Sequence, residues 1–405
     1  MTVDHDVVRI GPDFFQDPHQ LYAELRRTGP VRRVVLPRGV LGWLVTRYAD
    51  AKAVLSDPRV SKDYVRAGAL LERNREPGSP RPEFGEELQA HMLNMDPPDH
   101  TRLRKLVNKA FTVRGVGHLR PRVEEITAAL LDAIADADEV DLVPALAFPV
   151  PMTVICELLG VPEADREAFG RWTRVLLSTS STPVEITEAG VSVGKYVMEL
   201  IESKRSAPAD DLLTALVEAR EDGDRLSENE LLSMTFLLLL AGHETTVNLI
   251  ANGVLALLRA PEQAAALRAN PDLLPRAVEE FLRFESPVNT ATLRYTTEPI
   301  EVAGVEIPAD EFVVVALASA NRDETVFTTP DALDLDRDLN SHLAFGHGIH
   351  YCVGAPLARM EAEVAIGALL TRFPALTLTD TPLRWRESTI VRALDSLPVR
   401  LGPTQ

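Results

Sequence analysis

The chain has 405 residues, of which 45% are hydrophobic and 25% charged, an ordinary globular balance, and its formal net charge of −18 disfavours a polyanionic partner such as nucleic acid. Two cysteines are too few for the disulfide framework of a small secreted scaffold. The most apolar run, residues 236–241, falls far short of the ~20 residues that a bilayer span requires, and the polar start Met1-Thr2-Val3-Asp4-His5-Asp6 lacks the pattern of a secretion signal.

A cytoplasmic protein with no membrane partner is therefore expected. Length alone suggests two or three domains, but no linker, low-complexity tract or internal repeat divides the chain, so one domain over residues 1–405 is the simpler expectation. In chain order, residues 31–35 and 42–46 read as short strands. The stretch Asp99-His100-Thr101-Arg102-Leu103-Arg104 reads as helix. At about 100° per residue it sets His100 and Arg104 on one face and Arg102, Lys105 and Lys109 on the other.

Periodic apolar residues mark longer helices at 123–137, 184–204 and 228–259. The last opens with Ser227-Glu228-Asn229-Glu230, a capping box, and is apolar on several sides, which places it centrally. Its middle reads Ala241-Gly242-His243-Glu244-Thr245-Thr246. Glycine and paired threonines are poor helix-interior choices, and an acid on a buried helix is costly. One reading is purely structural, the Thr245 hydroxyl bonding back to the Ala241 carbonyl. The other is functional, a widened turn that makes room for a small ligand beside an acid and an alcohol.

Further on, Glu280 and Arg283 stand three apart on one helix face, and Arg337 follows in Asp334-Leu335-Asp336-Arg337. Residues 300–305 and 312–316 read as strands and 356–372 as helix. The balance is mainly α with small β-sheets. Just before the final helix comes Phe345-Gly346-His347-Gly348-Ile349-His350-Tyr351-Cys352-Val353-Gly354. Its glycines allow tight turns and close approach to a flat ligand, and Cys352 precedes a helix N-terminus, whose dipole favours thiolate. Such a thiolate suits an axial ligand to haem iron. A cysteine hydrolase pairing Cys352 with His350 is the weaker chemistry, since side chains two apart in a turn need not meet and no third orienting group is evident.

This ten-residue loop resembles the haem-binding loop of the cytochrome P-450 family, and the likeness extends over residues 14–401. The resemblance implies haem b with Cys352 as its axial thiolate, and Phe345, Gly346 and Gly354 shaping the loop around it. It implies His100, Arg104, Arg294 and His350 on the haem propionates. Ala241 and Gly242 would lie against the haem, with Glu244 and Thr245 relaying protons for O–O cleavage. Glu280, Arg283 and Arg337 would form the buried cluster that supports the cysteine loop.

The pocket would be lined from residues 66–94, 176–191, 288–292 and 389–391, with Leu93, Ala241, Val288, Asn289, Thr290, Thr292 and Ile390 reaching substrate. Apolar and small polar residues mixed in this way suit a large, oxygenated, mostly apolar molecule. Among the family, bacterial members that tailor macrolides and polyketides in antibiotic biosynthesis are the most similar, which implies hydroxylation or epoxidation of such a natural product by O2. Electrons would come from NAD(P)H through a ferredoxin reductase and a ferredoxin, docking by charge on Arg102, Lys105 and Lys109. A steroid, terpenoid or peptide-type substrate is the alternative. A non-catalytic haem-thiolate sensor would have no use for Glu244 and Thr245.

Overall fold

The computed structural model describes residues 7–80, 85–110, 117–219, 225–338 and 341–402, apart from the side chains of residues 86, 109 and 110. The N-terminal reading on residues 1–6, residues 81–84 of the expected pocket loop, and the Lys109 side chain lie outside the described residues.

One helix organises the chain. Glu228–Arg259 runs for 32 residues, and both halves of its capping box form: the Ser227 hydroxyl accepts from the Glu230 amide, and the Glu230 carboxylate accepts from the Ser227 amide at 2.8 Å. Its first half, Leu231 to Leu239, is buried in a cluster with Leu103, Leu106, Val193 and Val197. Its second half, Val247 to Leu257, is buried in another with Phe281, Ile366 and Leu369. Being apolar on nearly all sides, it is long enough to cross a membrane, yet 78% of its most apolar window is buried inside the protein.

Sequence expectations for the other helices hold with shifted ends. The helix expected at 123–137 spans Arg120–Ala133, because Pro121 suits a first turn, and a second capping box, between Thr182 and Glu185, opens Pro183–Ser206. The expected strand 300–305 is two strands, Ile300–Val302 and Val305–Ile307, folded back at Ala303 and Gly304, which both take positive φ. The expected widened turn at Gly242 is not seen: the central helix is α-helical throughout.

A six-stranded mixed sheet has the order Val8–Arg9, Val31–Val35, Leu41–Val45, Phe312–Val315, Arg294–Thr296, Val60–Ser61. Its last pair matters most for the site. Val60 faces Thr296 and Ser61 faces Tyr295 in antiparallel register, so one further step sets Lys62 opposite Arg294.

Candidate active site

Between Leu231 and Leu257 the central helix is buried at every position except Leu240, Ala241, Gly242 and Thr245. Ala241 and Thr245 are one turn apart, so an otherwise enclosed helix presents one accessible stripe in its middle. Thr245 Oγ1 donates to the Ala241 carbonyl at 3.0 Å, which is the back-bond expected from the sequence. Glu244, 2% exposed, points elsewhere: its Oε1 lies 3.8 Å from His243 Nε2 and its Oε2 lies 3.4 Å from Arg386 Nη1, close but not aligned as a hydrogen bond.

His243 and Arg386 had no assigned part in the sequence reading. His243 is fully buried, and its Nδ1 sits 2.8 Å from the Leu239 carbonyl; a carbonyl only accepts, so Nδ1 carries the proton. Nε2 is then free to accept from the Thr173 hydroxyl at 3.2 Å. Burial pulls the His243 pKa down, which keeps the ring neutral.

Gly242 has a packing role. A Cβ there would stand 2.8 Å from Ile155 Cδ1, so the missing side chain lets Pro149–Leu159 pack closely on the central helix. Gly242→Ala is expected to cost about 1–3 kcal/mol by overpacking. Denaturation of the Ile155→Ala, Gly242→Ala pair should show partial relief, whereas simple additivity of the two costs contradicts the contact.

Cys352 stands at the opening of helix Ala355–Arg372, its amide donating to the Phe345 carbonyl at 3.0 Å across a turn in which Gly346 and Gly348 take φ of +74° and +73°. Val353, next in sequence, packs on the same cluster as Leu240. Burial pushes the Cys352 thiol up, and the Gly354 amide, Arg104, the Ala355 amide and Arg359 oppose it. Cys156 is wholly buried against the Met152 sulfur, whereas Cys352 is a partly exposed residue whose sulfur points inward.

Beside it, His100 and His350 meet edge to face with ring centroids 4.4 Å apart. His100 is 3% exposed and neither ring nitrogen has a partner among the described residues. Arg104 and Arg294 make no ion pair among the described residues; Arg294, donating only to the Thr292 carbonyl, has its pKa lowered to about 10 by burial. Burial, then Lys62, Arg294, His100 and Arg104, push His350 down to about 2. Buried His100 and Arg294 beside half-buried Arg104 and His350, with no anionic partner among the described residues, fit a ligand that brings carboxylates.

Glu280, Arg283 and Arg337 converge. Arg283, fully buried, grips both Glu280 oxygens at 2.8 and 2.7 Å and donates to the carbonyls of Asn321, Pro330 and Ala332. Arg337 Nε reaches Glu280 at 3.2 Å. One residue earlier, Glu279 holds His342 and Arg359, and Arg359 lies over the Phe345 ring at 4.5 Å, so the loop is tied on two sides. Burial favours neutral Glu279, but His342 and Arg359 outweigh it and lower its pKa from 4.5 to about 2. Its contribution is complete above pH 4.5 and lost as pH falls through about 2. Glu279→Gln should therefore flatten that acid limb in a pH series of thermal melts; an unchanged limb contradicts the tie.

Residues 185–394 match the Cytochrome P450 family. Cytochrome P450 107B1 of Saccharopolyspora erythraea is 53% identical over 399 residues, covering 98% of each chain. The chain belongs to the cytochrome P450 family. Vitamin D(3) 25-hydroxylase of Pseudonocardia autotrophica is 48% identical over 99% of this chain and 98% of its own. The solved structure of the tirandamycin C-bound P450 monooxygenase TamI superposes with a TM-score of 0.91 at 51% identity, over 98% of this chain and 100% of that one. As a P450 it is an oxidoreductase whose cofactor is haem b ligated by a cysteine thiolate, and the unpartnered donors around Cys352 fit that group.

Of the residues expected to reach substrate, Asn289 and Thr290 are buried, and their side chains join Tyr22 and the Thr389 carbonyl. Thr292 Oγ1 accepts from Lys62. Leu93, Val288 and Ile390 are partly exposed apolar positions. On the basic face Lys105 is exposed, but Arg102 is bound to Glu230 of the capping box and is not the free cation expected. A cleft of about 950 Å³ lined by Asp17, His19, Glu285 and Arg392 contains none of the candidate residues and is not the reaction site.

Proposed function

We propose that this P450 inserts one oxygen atom of O2 into a C–H or C=C bond of a large, mostly apolar natural product of the macrolide or polyketide kind, with Cys352 as the axial thiolate. The observation that carries the reading is the accessible Ala241–Thr245 stripe on an otherwise buried helix, with buried, anion-free donors gathered beside Cys352. Cys352 would hold the iron, Phe345, Gly346 and Gly354 would shape the loop, and His100, Arg104, Arg294 and His350 would hold the propionates. When bound, the haem supplies the iron at which O2 is activated.

The chain supplies protons and exclusion of water. Thr245 Oγ1, on the accessible stripe, hands on a proton, and Glu244, whose carboxylate here lies toward His243 and Arg386, would turn to the stripe to replenish it. A sensor would need neither group. Electrons reach the protein from NAD(P)H through a ferredoxin; Lys105 is the described cation still exposed on the expected docking face. A cytoplasmic location belongs to the same reading, as does a single domain, the latter supported by one central helix shared between both large apolar clusters.

A sterol-like substrate is the second reading, favoured by the similarity to vitamin D(3) 25-hydroxylase. Titrating a panel of macrolactones, linear polyketides and secosteroids for a low-spin to high-spin shift, then turning over the tightest binder under isotopically labelled O2, tests both. One labelled oxygen in the product supports the monooxygenase, and label only in water contradicts it. The class giving the tightest shift decides the substrate.

A further inference from the structure

Lys62 lies outside every motif in the sequence, yet it is 4% exposed. It follows the strand pair that sets it opposite Arg294, and its Nζ donates to the Thr292 hydroxyl while Arg294 donates to the Thr292 carbonyl at 3.3 Å. No ion pair engages Lys62 among the described residues. The acid that acts on it, Asp96, accepts from the Ser61 hydroxyl at 2.5 Å and from the Lys62 amide at 3.1 Å. His91, 6% exposed, stands in the field of Lys62 with Nδ1 unpartnered.

Lys62 and Arg294 donate to the hydroxyl and the carbonyl of the same residue, Thr292, so two buried cations share one place. Asp96 is the acid acting on both, which leaves one positive charge over. Burial penalises that charge and pulls the Lys62 pKa down, and an anionic ligand group would keep the ammonium charged. One ligand carboxylate matches that deficit.

We propose that Lys62 is a third cationic clamp for a ligand carboxylate, with Thr292 orienting its ammonium, and that the carboxylate is a haem propionate. The inference rests on the haem-thiolate reading. If the carboxylate belongs instead to an acidic substrate, the same ammonium recognises it. A lysine placed only to tie two strands would need its hydrogen bond but not its charge.

The test uses the haem-loaded protein and its Lys62→Gln and Lys62→Arg variants. Haem transfer to excess apomyoglobin is followed first, and then the spin shifts produced by a long-chain fatty acid and by the corresponding alcohol. Lys62→Gln, which keeps a donor and loses the charge, is expected to release haem about 10- to 100-fold faster, with Lys62→Arg near wild type. Unchanged haem transfer with a lost preference for acid over alcohol assigns the clamp to a substrate carboxylate. If neither quantity changes in Lys62→Gln, the clamp is wrong. Should Lys62→Gln fold poorly, Thr292→Val, which removes the orienting hydroxyl, is expected to accelerate haem release in the same direction, and no acceleration overturns the proposal. Failure of the haem reading itself would already show in wild type, as protein that takes up no haem.

Discussion

Arg283→Ala is expected to leave little folded, haem-loaded protein. The substitution takes from the buried Glu280 carboxylate the guanidinium that grips both its oxygens, leaving Arg337 and the Asp334 amide on it, and removes the donor from the carbonyls of Asn321, Pro330 and Ala332. Breaking a buried ion pair by deleting one partner costs about 3–5 kcal/mol. Domains have only about 5–15 kcal/mol in total, so a large share of stability goes at once. Lysine is not expected to rescue, because a point charge cannot grip both Glu280 oxygens while donating to carbonyls on two sides. Haem-to-protein ratio and denaturation midpoint of the purified variant check this. A wild-type midpoint with full haem content would show that the cluster does not support the cysteine loop.

The second large effect is catalytic. Thr245→Ala and Glu244→Gln are each expected to lower product formation by about 10²- to 10⁴-fold, the range for a positioned proton donor, while O2 consumption falls much less. Thr245→Ser keeps the hydroxyl and should retain most of the activity. Thr245 also bonds back to Ala241, so a merely structural hydroxyl is a real competitor. The ratio of product to NADPH consumed separates them: a helix-bending role leaves it unchanged, and proton delivery does not.

Features governed by local chemistry were legible in the chain. The central helix starts and stops where its capping box and apolar period indicate, because those bonds join residues three apart. The partnership of Glu280 with Arg283 was readable for the same reason. What needed three dimensions was not. Lys62 reads as an ordinary loop lysine until the register with residues 294–296 buries it. The close approach of Gly242 to Ile155 joins two helices and leaves no mark in the chain. Arg102 reads as a free surface cation until Glu230, more than a hundred residues away, binds it. The strand expected at 300–305 failed because a two-residue turn at Ala303-Gly304 folds Ile300-Glu301-Val302 back on Val305-Glu306-Ile307.

The reduced, carbon-monoxide-bound absorption spectrum of wild type beside Cys352→Ala tests the central claim most directly. Sulfur ligation predicts the red-shifted Soret band of a haem thiolate in wild type and its loss in the variant. A variant that keeps that band, or a correctly folded wild type that never shows it after haemin supplementation, contradicts the account.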